Sequence, residues 1–454
     1  MTAQTELSAL IAKYDGRAPR YTSYPTAVQF TPQVDEATYR QWLAALPASD
    51  PVSVYVHVPF CARLCWYCGC NTRAVNRHQP IAAYVRRLLE EVELLSPALP
   101  SQLPVSAVHF GGGTPNTHSI EELDLLFAAL GQTFDLRPDL EFATEIDPPL
   151  LTQEWVEAAA RHGLRRASLG VQNLDPQVQA AVDRKGTIEE VARCMGWLRG
   201  AGVASVNLDL MYGLPHQTTA NTLETIEAIL PLRPERLALF GYAHVPWMKP
   251  HQKLIDEAAL PGSAERLDQS EAAAERLVAE GYVRIGLDHF ALPSDDMAVA
   301  LEQGRLRRNF QGYTTDEART LIGLGASAIG AFPEGFVQNL PKELDWRAAL
   351  DRGKLPIARG VALTDEDRFR GEIIERLMCD FEADLAAICA RHDRSPEILA
   401  AMQARLEPFR RDGLVEGQGG KVQVVGAGRL LVRSICAALD EYFAPEEGRH
   451  SKAL

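Results

Sequence analysis

Long apolar runs are missing from this 454-residue chain. No stretch approaches the roughly 18–20 residues that a membrane span requires, which excludes a helical membrane protein. The opening MTAQTELSALIAKYDGR lacks a basic region followed by an apolar one, so no export signal is expected and the expected location is the cytoplasm. Basic charge is scarce as well. At a formal net charge of −14, with Lys and Arg scattered, the chain is ill suited to general nucleic-acid binding; an anionic ligand needs a local basic pocket. Fixed-period repeats and low-complexity tracts are absent, which sets aside solenoids. Cysteine is sparse outside one place. Cys194, Cys379, Cys389 and Cys436 lie singly inside apolar helical patterns and read as small core residues. The remaining composition, 46% hydrophobic and 23% charged, is that of an ordinary soluble chain, too long for one core.

What is present begins with alternation. Strand-like runs VSVYVHV (52–58), VSAVHF (105–110), EFATEI (141–146), RASLGVQ (166–172), ASVNLDLM (204–211) and RLALFGY (236–242) are separated by amphipathic helical stretches at 81–95, 119–134 and 187–202. The last of these opens with a capping box, Thr187 and Glu190, and closes on Gly200 and Gly202. Six βα units in series predict a parallel sheet, because each crossover needs a helix. Polar residues at or just past the strand ends (Cys61, the glycines of HFGGGTP at 109–115, Glu145, Asp147, Gln172 and Asp209) favour a partial (β/α)6 barrel over an open doubly wound sheet. The run YVRIGLDHFA (282–291) is a candidate seventh strand. Composition shifts near 354–363, and a GQGG hairpin among helices predicts a small, mostly helical, winged-helix-like C-terminal domain that packs on the barrel. The expected division is 1–50, 51–355 and 356–454.

The other four cysteines fall within HVPFCARLCWYCGCNT (57–72). A disulfide knot does not suit a cytoplasmic chain. Structural zinc wants two close pairs a dozen or more residues apart, and no second pair exists. A redox C-x-x-C pair leaves Cys61 and Cys70 unexplained. A cubane cluster fits better: Cys61, Cys65 and Cys68, as C-x3-C-x2-C, can hold three irons and leave the fourth open to a small molecule. HFGGGTP lacks the Lys-Ser/Thr of a phosphate loop; its glycines suit close backbone approach.

At these residues the chain resembles the radical S-adenosylmethionine (SAM) enzymes. C-x3-C-x2-C after the first strand of a six-unit barrel is their signature. Within that superfamily it resembles the oxygen-independent coproporphyrinogen III oxidases over nearly its whole length. PRYTSYPTA (19–27), YVHVPFCARLCWYCGCN (55–71), NLDLMYGLP (207–215), DHFA (288–291) and RNFQGYTT (308–315) carry the likeness.

The resemblance implies a [4Fe–4S] cluster on Cys61, Cys65 and Cys68 and two SAM molecules. Tyr55, Tyr67, Gly112, Glu145 and Ile329 match positions around the cluster-bound one. Gly113, Thr114, Gln172, Arg184, Asp209 and Ala243 match the second, with Phe310 and Gln311 nearby. The family commonly has an asparagine before the arginine and a glutamine two residues after it; here Asp183-Arg184-Lys185-Gly186 places an acid beside Arg184. The implied reaction is decarboxylation of two propionates of coproporphyrinogen III to vinyl groups, with a flavodoxin- or ferredoxin-like reductant and a monomeric enzyme. Cys70 and Tyr55 are the candidates for a direct part in the chemistry. Arg17, Arg20, Tyr21, Arg307 and Arg308 are candidates for the substrate, whose four carboxylates need local cations. Tyr24 and Phe310 could cover the macrocycle, with the N-terminal segment as a lid. The rival readings are a haem carrier that keeps the three cysteines and a radical haem methyltransferase or ring-opening enzyme.

Overall fold

A computed structural model describes residues 9, 10, 13, 14, 16 and 18–443. Arg17 lies outside the described residues. Six parallel strands form the centre: β1 (Val52–Val58), β2 (Pro104–Gly112), β3 (Asp135–Ile146), β4 (Leu164–Gln172), β5 (Ser205–Tyr212) and β6 (Arg236–Gly241). They lie side by side in chain order. Between them run helices, including Gln79–Leu95, Ile120–Thr133 and Ile188–Gly200. The expected capping box of Thr187 with Glu190 is formed, and Ser119 with Glu122 makes a second. Such caps satisfy donors that would otherwise be orphaned, and each contributes about 1 kcal/mol.

Side-chain alternation divides the strands into two faces. Val54, Val56, Val108, Phe110, Phe142, Leu169, Leu208 and Leu239 are buried in the main apolar cluster with Leu88, Leu126 and Leu198 of the helices. The alternate positions Tyr55, His57, His109, Glu145, Ser168, Asn207 and Asp209 occupy the other face, and it is polar. The strands therefore turn an apolar face to the helices and a polar face inward.

Beyond the six strands the sheet continues on both sides, to twelve strands in a linear order that does not close. The run 282–291 is not a single seventh parallel strand. It folds into Val283–Ile285 and His289–Ala291, an antiparallel pair with the second strand antiparallel to β6; Gly286 at φ +55 makes the turn. On the β1 side, Thr320–Leu324 runs parallel to β1, and Ile329–Phe332, Gly335–Asn339 and Ile357–Ala362 follow antiparallel. The composition shift at 354–363 thus falls inside the main sheet.

A second apolar cluster unites Phe369, Leu377, Leu406, Leu431 and Ile435 of the C-terminal helices with Ala18, Tyr21 and Tyr24. The GQGG turn joins Val415–Glu416 to Lys421–Val424, and Glu382–Asp384 pairs with the latter. The N-terminal segment is divided between the two cores: Thr31 bridges to Gly360 of the main sheet, and Tyr39 and Leu43 join the main apolar cluster, Tyr39 edge-on to Phe332 of a flanking strand.

Candidate active site

The loop after β1 carries the cysteines. Cys65 is buried, Cys61 and Cys68 are half-buried and Cys70 is exposed. Each of the first three has a polar partner. Arg184 Nη1 donates to Cys65 Sγ (3.8 Å). The Cys70 backbone N–H donates to Cys68 Sγ (3.4 Å), with Thr72 Oγ1 at 3.8 Å. Thr114 hydrogen-bonds Cys61, whose thiol burial nonetheless pushes up to about 11. A hydrogen bond from the Cys70 thiol is the main cause that brings Cys68 down to about 6, and it holds Cys70 well up. Cys70 therefore serves Cys68 as a donor. Three sulfurs furnished with donors and a cation fit a thiolate-held cluster.

The loop is anchored from β1. Tyr55 and His57, two residues apart, share the inner face. Burial lowers the His57 pKa, so the ring is neutral. Its Nε2–H donates to the Asn71 carbonyl (3.0 Å), leaving Nδ1 to accept from the Tyr55 hydroxyl (3.0 Å). Tyr55 stacks on His109 of β2, its partner in register, with ring centroids 5.8 Å apart. Ile329 stands on the other side of Tyr55, against Gly323, the residue that pairs with Tyr55.

The glycines answer to close approach. A Cβ on Gly112, at φ +110, would meet the His57 ring at 2.4 Å, and one on Gly113 would meet the Phe60 carbonyl at 2.5 Å. Their N–H groups are committed: Gly112 N donates to Glu145 Oε2 (2.9 Å), Gly113 N to Val58 O and Thr114 N to Phe60 O (both 2.7 Å). A phosphate cradle would need those hydrogens free. Glu145 also lies 3.8 Å from His109 Nε2.

Arg184 does not turn to its neighbour Asp183. Its guanidinium pairs with Asp147 (2.8 Å) and donates to the Gly170 carbonyl and to Cys65. Gln172 ends β4 at φ +68. Asp209, expected at a strand end, lies inside β5. It accepts from Ser168 and Asn207, each at 2.7 Å, and burial pushes its carboxyl up to about 6. A cavity of about 200 Å³ opens among His109, Glu145, Ser168, Asp209, His289 and Gln311. Tyr67 is half-buried beside Val182 and Tyr242. One Gln252 amide donates to both the Tyr67 and Ala243 carbonyls, which brings those two positions together.

The candidates for substrate contact separate. Tyr21 and Tyr24 do not face an open site; both are buried in the C-terminal core, where Tyr21 donates to Asp440 (3.0 Å). Phe310, at the tip of the hairpin Arg307–Asn309/Gly312–Thr314, packs edge-on against Phe30 and Phe336. Arg307 bonds to the Ala318 carbonyl (3.1 Å). Arg308 lies over the Tyr313 ring and donates to the carbonyls of Tyr21 and Arg20. Arg20 is exposed. Near Arg20 and Arg308 stands Arg433, missed in the sequence, whose pKa burial lowers to about 10 with those two cations adding to the effect. Arg266, over the Tyr212 ring, was missed as well. His57 had a signal, two residues from Tyr55 on one strand; Arg433 had none.

A parallel-stranded partial barrel with a polar interior, and three thiols on the loop after its first strand, defines a radical SAM fold. The model of the Radical SAM superfamily matches residues 55–229. The likeness extends much further than that segment. The oxygen-independent coproporphyrinogen III oxidase of Bradyrhizobium diazoefficiens is 49% identical over 96% of this chain and 97% of its own. The enzyme of the same name from Paracoccus denitrificans is 42% identical over the full length of both. The solved structure of coproporphyrinogen III oxidase from Escherichia coli superposes with a TM-score of 0.90, at 35% identity, covering 96% of this chain and 99% of that one. The chain belongs to the family of oxygen-independent coproporphyrinogen III oxidases.

Proposed function

We propose that this chain converts two propionate side chains of coproporphyrinogen III to the vinyl groups of protoporphyrinogen IX, without oxygen, as a step of haem biosynthesis. The observation that carries the reading is the whole-chain identity to curated enzymes of that activity. Cys61, Cys65 and Cys68 hold the [4Fe–4S] cluster. When bound, the cluster and SAM supply a 5′-deoxyadenosyl radical able to take hydrogen from the unactivated propionate β-carbon, a bond no side-chain base could ionise.

The protein's own part is positioning. Tyr55, Tyr67, Gly112, Glu145 and Ile329 surround the first SAM; Glu145, tied to Gly112 N, is an acceptor for hydroxyl or ammonium hydrogens. A second SAM takes Gly113, Thr114, Gln172, Arg184, Asp209 and Ala243, with Gln311 at the cavity edge. The Asp147 pairing supports this site, since Arg184 is drawn inward and away from the acid at 183. Arg20 and Arg308, with Arg433 and Arg266 behind them, make the local positive field that substrate carboxylates need in an acidic chain. The chain works as a cytoplasmic monomer with a separate one-electron reductant. No helix among the described residues is long and apolar enough to cross a membrane.

Anaerobic incubation with coproporphyrinogen III, SAM and a reductant, followed by mass spectrometry, tests this. Two CO2 and one protoporphyrinogen IX per substrate are expected. Haem binding without CO2 release, or methylated or linear tetrapyrroles, would overturn it.

A further inference from the structure

The outer side of the cysteine loop is covered by the segment 245–254. Lys249 Nζ donates to the Cys70 carbonyl (2.8 Å), His251 Nε2 to the Cys68 carbonyl (2.8 Å) and Gln252 Nε2 to the Tyr67 carbonyl (3.0 Å). Three contacts in four residues fix this segment to the loop bearing the cluster thiols. Its other side is turned to solvent, and it is apolar: Trp247, Met248 and Leu254 are 53%, 59% and 59% exposed. Most other large apolar residues of the described chain are covered.

Charge breaks pattern at the same place. In a chain of net charge −14, residues 51–89 contain no Asp or Glu and five arginines. Residues 236–255 likewise contain no acid, and Lys249 and Lys253 lie among their exposed positions or on the loop contact. Arg63 of the loop donates to the Lys185 carbonyl (2.9 Å), and Lys185 itself is exposed. Of the acids nearby, Glu343 is paired with Arg73 and Glu257 with His244, Asp256 accepts from Ala258 N, and Asp183 stands exposed in the chain beside Arg184. Contiguous exposed apolar patches rimmed by polar residues mark interaction sites, and electron-transfer encounters use the smallest interfaces, under about 1,200 Å² in total.

We propose that Trp247, Met248 and Leu254, with the exposed Lys253 among them, form the docking face for an acidic one-electron carrier protein of the flavodoxin class. The inference rests on the function proposed above, which requires an electron at the thiol-held cluster. In the docked pair the reduced flavin carrier loses one electron, the cluster gains it, and no bond is made or broken. Opposite charges steer the encounter, so the association rate falls with salt, and the apolar centre excludes water between the two proteins.

The test uses the reconstituted holoenzyme and two reductants, flavodoxin hydroquinone and dithionite, with Trp247→Ser, Lys253→Glu and the double variant. Neither side chain is placed in the cofactor or substrate machinery. Binding of oxidised flavodoxin, read by calorimetry at two salt concentrations, is expected to weaken at least tenfold in the double variant, with a flatter salt dependence. Flavodoxin-driven SAM cleavage should fall by a similar factor, while dithionite-driven cleavage stays within twofold of the parent. Unchanged flavodoxin binding would overturn the docking face, and so would an equal loss with both reductants, which would make the segment a support of the loop. Absence of dithionite-driven cleavage in the unsubstituted protein would instead count against the underlying function.

Discussion

Gly112 shows how much of the site depends on one missing side chain. Its φ of +110 lies where residues with a Cβ are strained, and a methyl group there would occupy the place of the His57 ring. His57 cannot yield freely, because its two nitrogens join Tyr55 to the end of the cysteine loop. Gly112→Ala should therefore act through His57, loosening Tyr55 and Asn71 together. The expected outcome is a loss of about 2–3 kcal/mol in unfolding free energy and at least tenfold weaker SAM binding, measured by denaturant titration and equilibrium dialysis. Gly131→Ala is the control, since a Cβ there has only ordinary contact at 3.6 Å. Tight SAM binding by Gly112→Ala would mean that the ring moves aside at little cost.

Among elements, the helix Gln79–Leu95 is fastened to the flank of the sheet by one buried acid. Glu91 accepts from Gly325 N (2.7 Å), Asn339 Nδ2 (2.7 Å) and Trp346 Nε1 (3.2 Å). Burial nevertheless pushes its carboxyl up to about 7, outweighing the three donors. A carboxyl raised in this way binds more protons folded than unfolded between about pH 4.5 and 7. Its contribution is fully present below the unfolded pKa and is lost as pH rises through about 7. Glu91→Gln removes the titration and turns amide hydrogens toward donors, at about 1–3 kcal/mol near pH 5. The wild-type advantage should then shrink by on the order of 2–3 kcal/mol by pH 8; a constant gap in paired unfolding curves would show that Glu91 stays ionised throughout. These flanking strands are also what the sequence conceals. The six parallel strands could be read from alternating runs such as VSVYVHV, whose valines pack toward the helices while Ser53, Tyr55 and His57 take the other face. GLGASAIGAF is short and rich in small residues, and only its pairing beside β1 makes it strand. For the site, the cysteine spacing and glycine run were legible because local chemistry demands them. The packing of Tyr21 and Tyr24 was not, since an aromatic near an active-site motif reads the same whether it faces ligand or core.

At the scale of the molecule, two separate parts meet on residues 18–21. Arg433, from the C-terminal helix Val432–Ala437, donates its Nε to the Pro19 carbonyl (2.9 Å) and a second nitrogen to the Ala18 carbonyl. Arg308, from the hairpin beyond the barrel, holds the carbonyls of Tyr21 and Arg20 at 3.2 and 3.3 Å. Residues 18–21 are thus a strap fastened between the hairpin and the C-terminal helix, with the Arg20 side chain exposed on it. Arg433 is only 6% exposed, so the variant Arg433→Met retains the bulk of the side chain but strips two buried carbonyls of their donors. The strap should then open locally. Trypsin cleavage after Arg20 is expected to accelerate at least tenfold in timed digests, with KM for coproporphyrinogen III raised and dithionite-driven SAM cleavage without substrate unchanged. Arg433→Lys, which keeps the charge and a single donor nitrogen in place of the two that reach these carbonyls, should restore part of both. If cleavage and KM stay at wild-type values in Arg433→Met, the strap is held by the packing of Tyr21 and Tyr24 alone, and the arginine serves charge rather than closure.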